Sequence, residues 1–261
     1  MKRGSLTHIR GLLIDLDGVL YVGEREIAGA SEAVRFLKTE GIPLRFTTNT
    51  TTRSLRELHE KLAAYGIPVE RQEIFGVHQA AVAYLKQRGR PSCKFLLTES
   101  PLSEFEAFPQ NDTNPEYVVV GDIGKRWDYD LMNEIFTLLT GGAKLLALHK
   151  GKFWQTEQGL RVDIGAFVAG LEYVTEKQAT VLGKPSEEFY RLALADLGLA
   201  PGEVAMVGDD IESDIGGAQK VGMTGVLVRT GKYRETLVRQ SGISPDFTID
   251  SIADLPRLMG S

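Results

Sequence analysis

The sequence predicts an α/β fold in which a parallel sheet carries helices on its faces and is interrupted by an inserted α/β unit. Three observations lead there. Short aliphatic runs alternate with amphipathic stretches between residues 12 and 77. A different pattern occupies roughly residues 79 to 178, and the first one returns from residue 179. Strand and helix signals in strict alternation fold as a parallel sheet covered by helices.

Residues 12–16 (LLIDL) are apolar at almost every position, as a strand buried on both faces requires. Ala30, Ala33, Val34 and Leu37 recur at helical spacing, and Gly41 supplies a stop. Residues 44–47 form a second strand. Ser54 and Glu57 fit a capping box, with Leu55, Leu58 and Leu62 following on one face. Gly66 ends that helix, and residues 73–77 form a third strand.

In the middle, residues 94–98, 117–121 and 144–148 are strand candidates, and residues 131–139 a helix candidate. A polar loop rich in Pro, Asn and Asp is expected over residues 99–116. Residues 144–148 and 152–156, with Lys150-Gly151 between them, suggest a hairpin. The expected domains are therefore a core formed by residues 1–78 and 179–261, and an inserted domain at 79–178.

The first rhythm resumes with a strand at residues 179–182, which leads into Gly183-Lys184-Pro185. Glu187 and Glu188 suit the first turn of a helix, whose buried face is Phe189, Leu192, Ala193 and Leu197. Residues 203–207 (EVAMV) are a strand ending at Gly208-Asp209-Asp210. A short helix through Ala218, a strand at 225–228 and an edge strand at 247–249 follow.

Composition narrows the function. Of 261 residues, 30 are Lys or Arg and 35 are Asp or Glu, a net charge of −5. That balance argues against nucleic acid or an anionic membrane as partner. The single cysteine, Cys93, allows neither an internal disulfide nor a cysteine-rich zinc site. No apolar run reaches membrane-spanning length and no signal-peptide core stands at the N-terminus, so a reducing cytoplasm is the expected location.

Open α/β sheets bind ligands at the carboxyl ends of their strands. The residues expected there are Asp15, Asp17 and Gly18, then Thr47, Thr48 and Asn49, then Lys184, then Asp209 and Asp210. Asp15 and Asp17 share one side of an extended segment, and a hard divalent cation would offset their burial. Taken alone, the same pair also suits a solvent-facing strand end. Asp210 and Asp214 would lie on neighbouring turns if Ile211 opens a helix, although acidic residues favour helix N-termini in any case. Thr47-Thr48-Asn49 offers donors to an anion or simply a turn. Lys184 is a phosphate partner or an exposed lysine, with Pro185 fixing the chain beside it. What decides is their conjunction: a metal-capable carboxylate cluster, a hydroxyl/amide anion site and a lysine at successive strand ends.

At these residues the sequence resembles the haloacid dehalogenase-like (HAD) phosphohydrolase superfamily. Asp15-Leu16-Asp17-Gly18-Val19-Leu20-Tyr21 resembles its first motif and Thr48-Asn49 its second. Lys184 resembles the third, and Gly208-Asp209-Asp210 with Asp214 the fourth. The short span between Leu20 and Thr47, and the long one between Thr48 and Lys184, resemble subfamily IIA, the NagD-like phosphatases with a C2-type cap. Gly165-Ala166-Phe167-Val168, Leu171-Glu172-Tyr173, Ala179-Thr180-Val181 and Thr230-Gly231-Lys232-Tyr233 are similar to segments of its members.

The resemblance implies a Rossmann-like core, a C2-type cap and a Mg²⁺-dependent phosphatase for a small phosphorylated metabolite. Asp15 would be the nucleophile that forms an aspartyl-phosphate, and Asp17 the general acid and base. The Asp15 carboxylate, the Asp17 carbonyl and the Asp209 carboxylate would hold Mg²⁺. Thr48, Asn49 and Lys184 would grip the phosphoryl oxygens, with Asp210 and Asp214 orienting groups around them. The cap would act as a lid and carry substrate choice. Lys150, Lys152, Trp154 and Arg161 are its candidates, though each also suits a solvated face or cap core. Members of the subfamily often pair through the cap, so a homodimer is expected.

Two other readings compete. A regulatory domain that accepts phosphoryl on Asp15 without efficient hydrolysis would use similar residues, but needs neither the long insertion nor an acid at Asp17. A nucleotide-cofactor protein ranks last, because no glycine-rich dinucleotide or Walker sequence is present.

Overall fold

Parallel strands of aliphatic residues build the centre of each of two units in the computed structural model, which describes residues 5–156 and 159–260. The first unit comprises Met1–Thr48, Arg56–Phe75 and Lys184–Ser261, and the second Asn49–Leu55 and Gly76–Gly183.

The first unit has a six-stranded sheet in the order Phe247–Ile249, Thr224–Val228, Val204–Gly208, Gly11–Asp15, Leu44–Thr48 and Ile74–Gly76. The pairings among the first five are parallel. Gly11–Asp15 and Val204–Gly208 are buried at every position, the signature of central strands covered on both faces. Phe247–Ile249 lies at the edge, as its short and less apolar sequence suggests. Register carries the chemistry: Ile14 pairs with Val207 and Asp15 with Thr47. Asp15 and Asp209 therefore leave adjacent strands at nearly the same level.

Helix Ala30–Thr39 buries Ala30, Ala33, Val34 and Leu37, the stripe its sequence spacing defines. Helix Leu55–Ala64 begins just after Ser54 and buries Leu58 and Leu62. In helix Glu187–Leu197 the side chain of Ser186 accepts from the Glu188 amide, and Gly198 closes the far end with φ 74°. Phe189, Tyr190, Leu192, Ala193 and Leu194 form its buried face, whereas Leu197 is only half-buried.

The second unit contains a four-stranded parallel sheet in the order Thr180–Val181, Lys144–Ala147, Tyr117–Val120 and Cys93–Leu96. Helices Tyr129–Thr140 and Gly165–Thr175 pack on it through Ile135, Leu139, Val168 and Leu171. Segment 49–55 belongs here because its polar groups are committed here. The Asp122 amide donates to Thr51 Oγ1 at 3.1 Å, His78 Nε2 bonds the Thr51 carbonyl at 3.2 Å, and the Leu55 amide donates to Glu104 at 2.9 Å.

Three expectations need correction, and one helix is new. Residues 144–148 do not form a hairpin with 152–156. Leu145, Leu146 and Ala147 are buried, and a strand buried like this needs neighbours on both edges, which Tyr117–Val120 and Thr180–Val181 provide. The antiparallel hairpin pairs Phe153–Thr156 with Gly159–Val162 instead. Strand Thr180–Val181 joins this second sheet rather than the first. The expected loop at 99–116 contains helix Glu99–Leu102 and the turn Ser103–Phe105, because Phe105 and Phe108 are apolar anchors buried within it. Residues 77–86, not assigned from the sequence, form helix Val77–Lys86 on six buried side chains. Among the described residues, no helix is long and apolar enough to cross a membrane.

Candidate active site

The first unit gathers Asp15, Asp209, Asp214 and Lys184 at the carboxyl end of its central strands. Each carboxylate offers one oxygen within 4.8 Å of the others. Asp15 and Asp209 follow from the register of their strands. Asp214 reaches the same place because residues Ile211–Gly216 form a π-turn of helix that continues as Gly217–Lys220. Asp210 caps that turn, accepting from the Glu212 and Ser213 amides at 3.0 Å each. Its neighbour Gly208 lets the Asp214 carboxylate lie directly on the backbone, where any Cβ would overlap it.

Lys184 is almost fully enclosed and donates to Asp15 Oδ1 at 2.5 Å and to Asp214 Oδ1 at 2.7 Å. Burial opposes its charge, yet the two carboxylates outweigh burial and hold the ammonium above the ordinary lysine range. One ammonium cannot balance three carboxylates. Burial first, and then the charges of Asp15 and Asp214, push Asp209 up to about 8. Asp214 is raised to about 6 by burial, against the pull of Lys184. Burial also raises Asp15 above its usual range.

The fit to a divalent cation rests on Asp209. Its Oδ2 accepts from the Lys232 amide at 2.6 Å, while its Oδ1 is buried with no hydrogen-bond partner. A buried, unpartnered carboxylate oxygen facing surplus negative charge is what a hard cation with oxygen ligands would satisfy. The residues present fit Mg²⁺.

Asp17 is exposed, and the Tyr21 hydroxyl donates to its Oδ2 at 3.4 Å. Thr48 ends its strand and is buried. Asn49, the next residue, falls in the second unit, where its Oδ1 would lie 3.1 Å from a Cβ built on Gly183. Lys184 follows a strand of the second sheet rather than of the first. The position is supplied by the chain leaving Gly183, and the Lys184–Pro185 peptide bond is cis.

The insertion candidates divide. Lys150 is ion-paired with the buried Glu172, and Lys152 and Arg161 are exposed. Trp154 lies on strand Phe153–Thr156 with its side chain outside the described residues. Sequence reasoning missed the part played by residues 230–232. The Lys232 amide holds Asp209, and the Thr230 hydroxyl donates to the Gly18 carbonyl. The only prior signal was the likeness of Thr230-Gly231-Lys232-Tyr233 to subfamily members.

Comparison with known proteins agrees with this geometry. A profile of haloacid dehalogenase-like hydrolases matches residues 12–107, and a second, HAD-hydrolase-like, matches 181–255. The haloacid dehalogenase-like hydrolase domain-containing protein 2 of Pongo abelii is 38% identical over 244 residues, 93% of each chain. The human phospholysine phosphohistidine inorganic pyrophosphate phosphatase is 38% identical over 262 aligned positions, 97% of this chain and 95% of that one. Among solved structures, a p-nitrophenyl phosphatase from Archaeoglobus fulgidus superposes with a TM-score of 0.90 at 28% identity, over 95% of this chain and 98% of that chain. The chain belongs to the haloacid dehalogenase-like hydrolase family, in its subfamily IIA.

Proposed function

We propose that this phosphatase hydrolyses a small phosphorylated metabolite through an aspartyl-phosphate on Asp15, with Mg²⁺ as cofactor. The observation that carries the reading is the buried Asp15 carboxylate, bonded to Lys184 beside the unpartnered oxygen of Asp209. The names of the relative and of the structural neighbour support the hydrolysis of phosphoryl groups, and the neighbour's that of a phosphate ester.

In this reading an Asp15 oxygen attacks phosphorus and the bond to the leaving oxygen breaks. Asp17 gives its proton to that oxygen. Water then attacks the phosphorus of the aspartyl-phosphate, Asp17 takes the proton back, and Asp15 is restored as inorganic phosphate leaves. Lys184 has two tasks: it fixes Asp15 and it contacts phosphoryl oxygens, with Thr48 and Asn49 supplying further donors. Asp15, the Asp17 carbonyl and Asp209 would hold Mg²⁺, and Asp210 and Asp214 would keep Lys184 and the ion's waters in place. When bound, Mg²⁺ offsets the charge of the carboxylates and of the incoming phosphoryl group.

The inserted domain is assigned the lid and the choice of leaving group. Helix Gly165–Thr175 presents Tyr173, 86% exposed, and Val174, 51% exposed, as a surface for pairing with a second copy. Sedimentation of the wild type and of Tyr173→Glu tests that assembly, and a wild type that remains monomeric at high concentration rejects it.

The reaction is tested with p-nitrophenyl phosphate. Asp15→Asn is expected to lose turnover by at least about a thousandfold while remaining folded. Acid quenching of the wild type during turnover is expected to trap phosphate on Asp15. Unchanged turnover in Asp15→Asn overturns the nucleophile assignment. Stable label on Asp15 without release of inorganic phosphate would favour the regulatory alternative.

A further inference from the structure

The four motifs do not include the chain between strand Thr224–Val228 and helix Glu235–Ser241, yet that stretch lies directly against the Asp209 carboxylate. Strand Thr224–Val228 runs beside Val204–Gly208, with Gly208 paired to Leu227. The loops carrying Asp209 and residues 230–232 therefore leave the sheet side by side.

Three features then fix the Asp209 carboxylate and the loops that close on it. The Lys232 amide donates to Oδ2 at 2.6 Å. The Thr230 hydroxyl donates to the Gly18 carbonyl, tying this loop to the loop after the first strand. Gly18 and Gly231 close on the carboxylate from two directions, with φ of 86° and 59°. A Cβ on either would overlap Asp209 Oδ2, and one on Gly231 would also lie 2.5 Å from the Gly18 Cα. Only residues without a side chain allow so close an approach at a left-handed φ.

The consequence is an asymmetric carboxylate. One oxygen is committed to the protein, and the other, Oδ1, is buried with no protein partner. We infer that residues 230–232 are a positioning element for the cation site, in which Gly231 and the Thr230 hydroxyl hold the Asp209 carboxylate so that Oδ1 is left for the ion. This rests on the Mg²⁺ reading above. Positioning matters for such a ion because Mg²⁺ tolerates little departure from octahedral geometry, so a carboxylate free to swivel binds it less well. Gly231 acts through Asp209 and contacts no reacting atom.

Mn²⁺, whose free form is counted directly by electron paramagnetic resonance, serves as the probe on the full chain without substrate. Gly231→Ala is expected to weaken Mn²⁺ binding about tenfold or more, the usual scale for groups that orient a ligand. Thr230→Val is expected to weaken it in the same direction, and Thr230→Ser, which keeps the hydroxyl, to restore it. That pair keeps the test valid if Gly231→Ala does not fold, since Val is nearly isosteric with Thr. Wild-type affinity in Gly231→Ala, or equal affinities for Thr230→Val and Thr230→Ser, overturns the positioning role and leaves the Mg²⁺ reading intact. A wild type that binds no Mn²⁺, or an Asp209→Asn variant that binds as the wild type does, overturns the Mg²⁺ reading itself.

Discussion

Lys184 Nζ stands 2.5 Å from Asp15 Oδ1, closing a contact between residues 169 positions apart. The same ammonium reaches Asp214 at 2.7 Å, so one cation links the first and fourth acidic segments. With a side chain only 4% exposed, it has little water to replace either partner. Lys184→Met would leave two buried carboxylates facing each other. In a chelator, the variant is expected to unfold more easily by about 3–5 kcal/mol, the scale for breaking a buried pair on one side. Urea unfolding measures this. Mg²⁺ is expected to return part of the loss, and a variant as stable as the wild type in chelator would show the pair to be energetically idle.

Asp209 would give the proposed Mg²⁺ binding a pH dependence. Burial, then Asp15 and Asp214, raise its carboxyl to about 8 in the cation-free protein. A carboxyl raised on folding binds a proton in the folded state that the unfolded chain releases above its ordinary range. Cation-free stability therefore declines as pH rises from about 4 toward 8. Mg²⁺ needs the ionised form, so its stabilising effect is expected to be larger at about pH 8 than at about pH 6. Thermal melting with chelator and with saturating Mg²⁺ checks this. In Asp209→Asn the difference should collapse, and equal Mg²⁺ shifts at both pH values in the wild type would contradict the account.

Tyr21 bears on Asp17, the proposed general acid. Its hydroxyl donates to Asp17 at 3.4 Å, and its ring is buried beneath the Lys61 ammonium, 4.2 Å from the ring centre. Lys61 also donates to the Gly23 carbonyl at 2.9 Å, pinning the turn that carries Tyr21. Tyr21→Phe keeps the ring and removes the hydroxyl. If Asp17 is the acid, alkyl phosphates, with basic leaving oxygens, need its proton more than p-nitrophenyl phosphate does. The variant is expected to lose about tenfold in kcat on an alkyl phosphate, less on the nitrophenyl ester, with KM nearly constant. An equal loss on both substrates would mark Tyr21 as merely structural.

How far the sequence reaches depends on whether a residue's role lies in its type or in its neighbours. Leu12, Leu13 and Ile14 announce a buried strand because their own character demands burial, and Asp15 stands out against them. The sequence suggests half of a hairpin for strand Lys144–Ala147 because Lys150-Gly151 resembles a turn. What decides its pairing is Thr180–Val181, more than thirty residues away and only two residues long. Lys184 stands out in the sequence by its type, yet the strand before it belongs to the other sheet. The Lys232 amide was invisible for a different reason: every residue except proline has one, so the sequence carries no mark of its bond to Asp209.

His78 makes the second unit sensitive to acid. It lies on helix Val77–Lys86, bonds the Thr51 carbonyl at 3.2 Å and meets the Phe105 ring edge-on at 6.1 Å. Burial drives its imidazole down to about 4, only partly offset by the bond to Thr51. An imidazole lowered on folding stays neutral where the unfolded chain takes up a proton. Stability is therefore fully present above about pH 6.5 and is lost as pH falls from there toward 4. Integrated from neutral pH down to about pH 5, the loss is roughly 2 kcal/mol. Urea unfolding followed at those two pH values should register it, and His78→Gln should remove most of the slope whatever it does to stability at neutral pH. A wild type and variant with the same acid dependence would mean that the carboxylates of the first unit, not this imidazole, govern unfolding in acid.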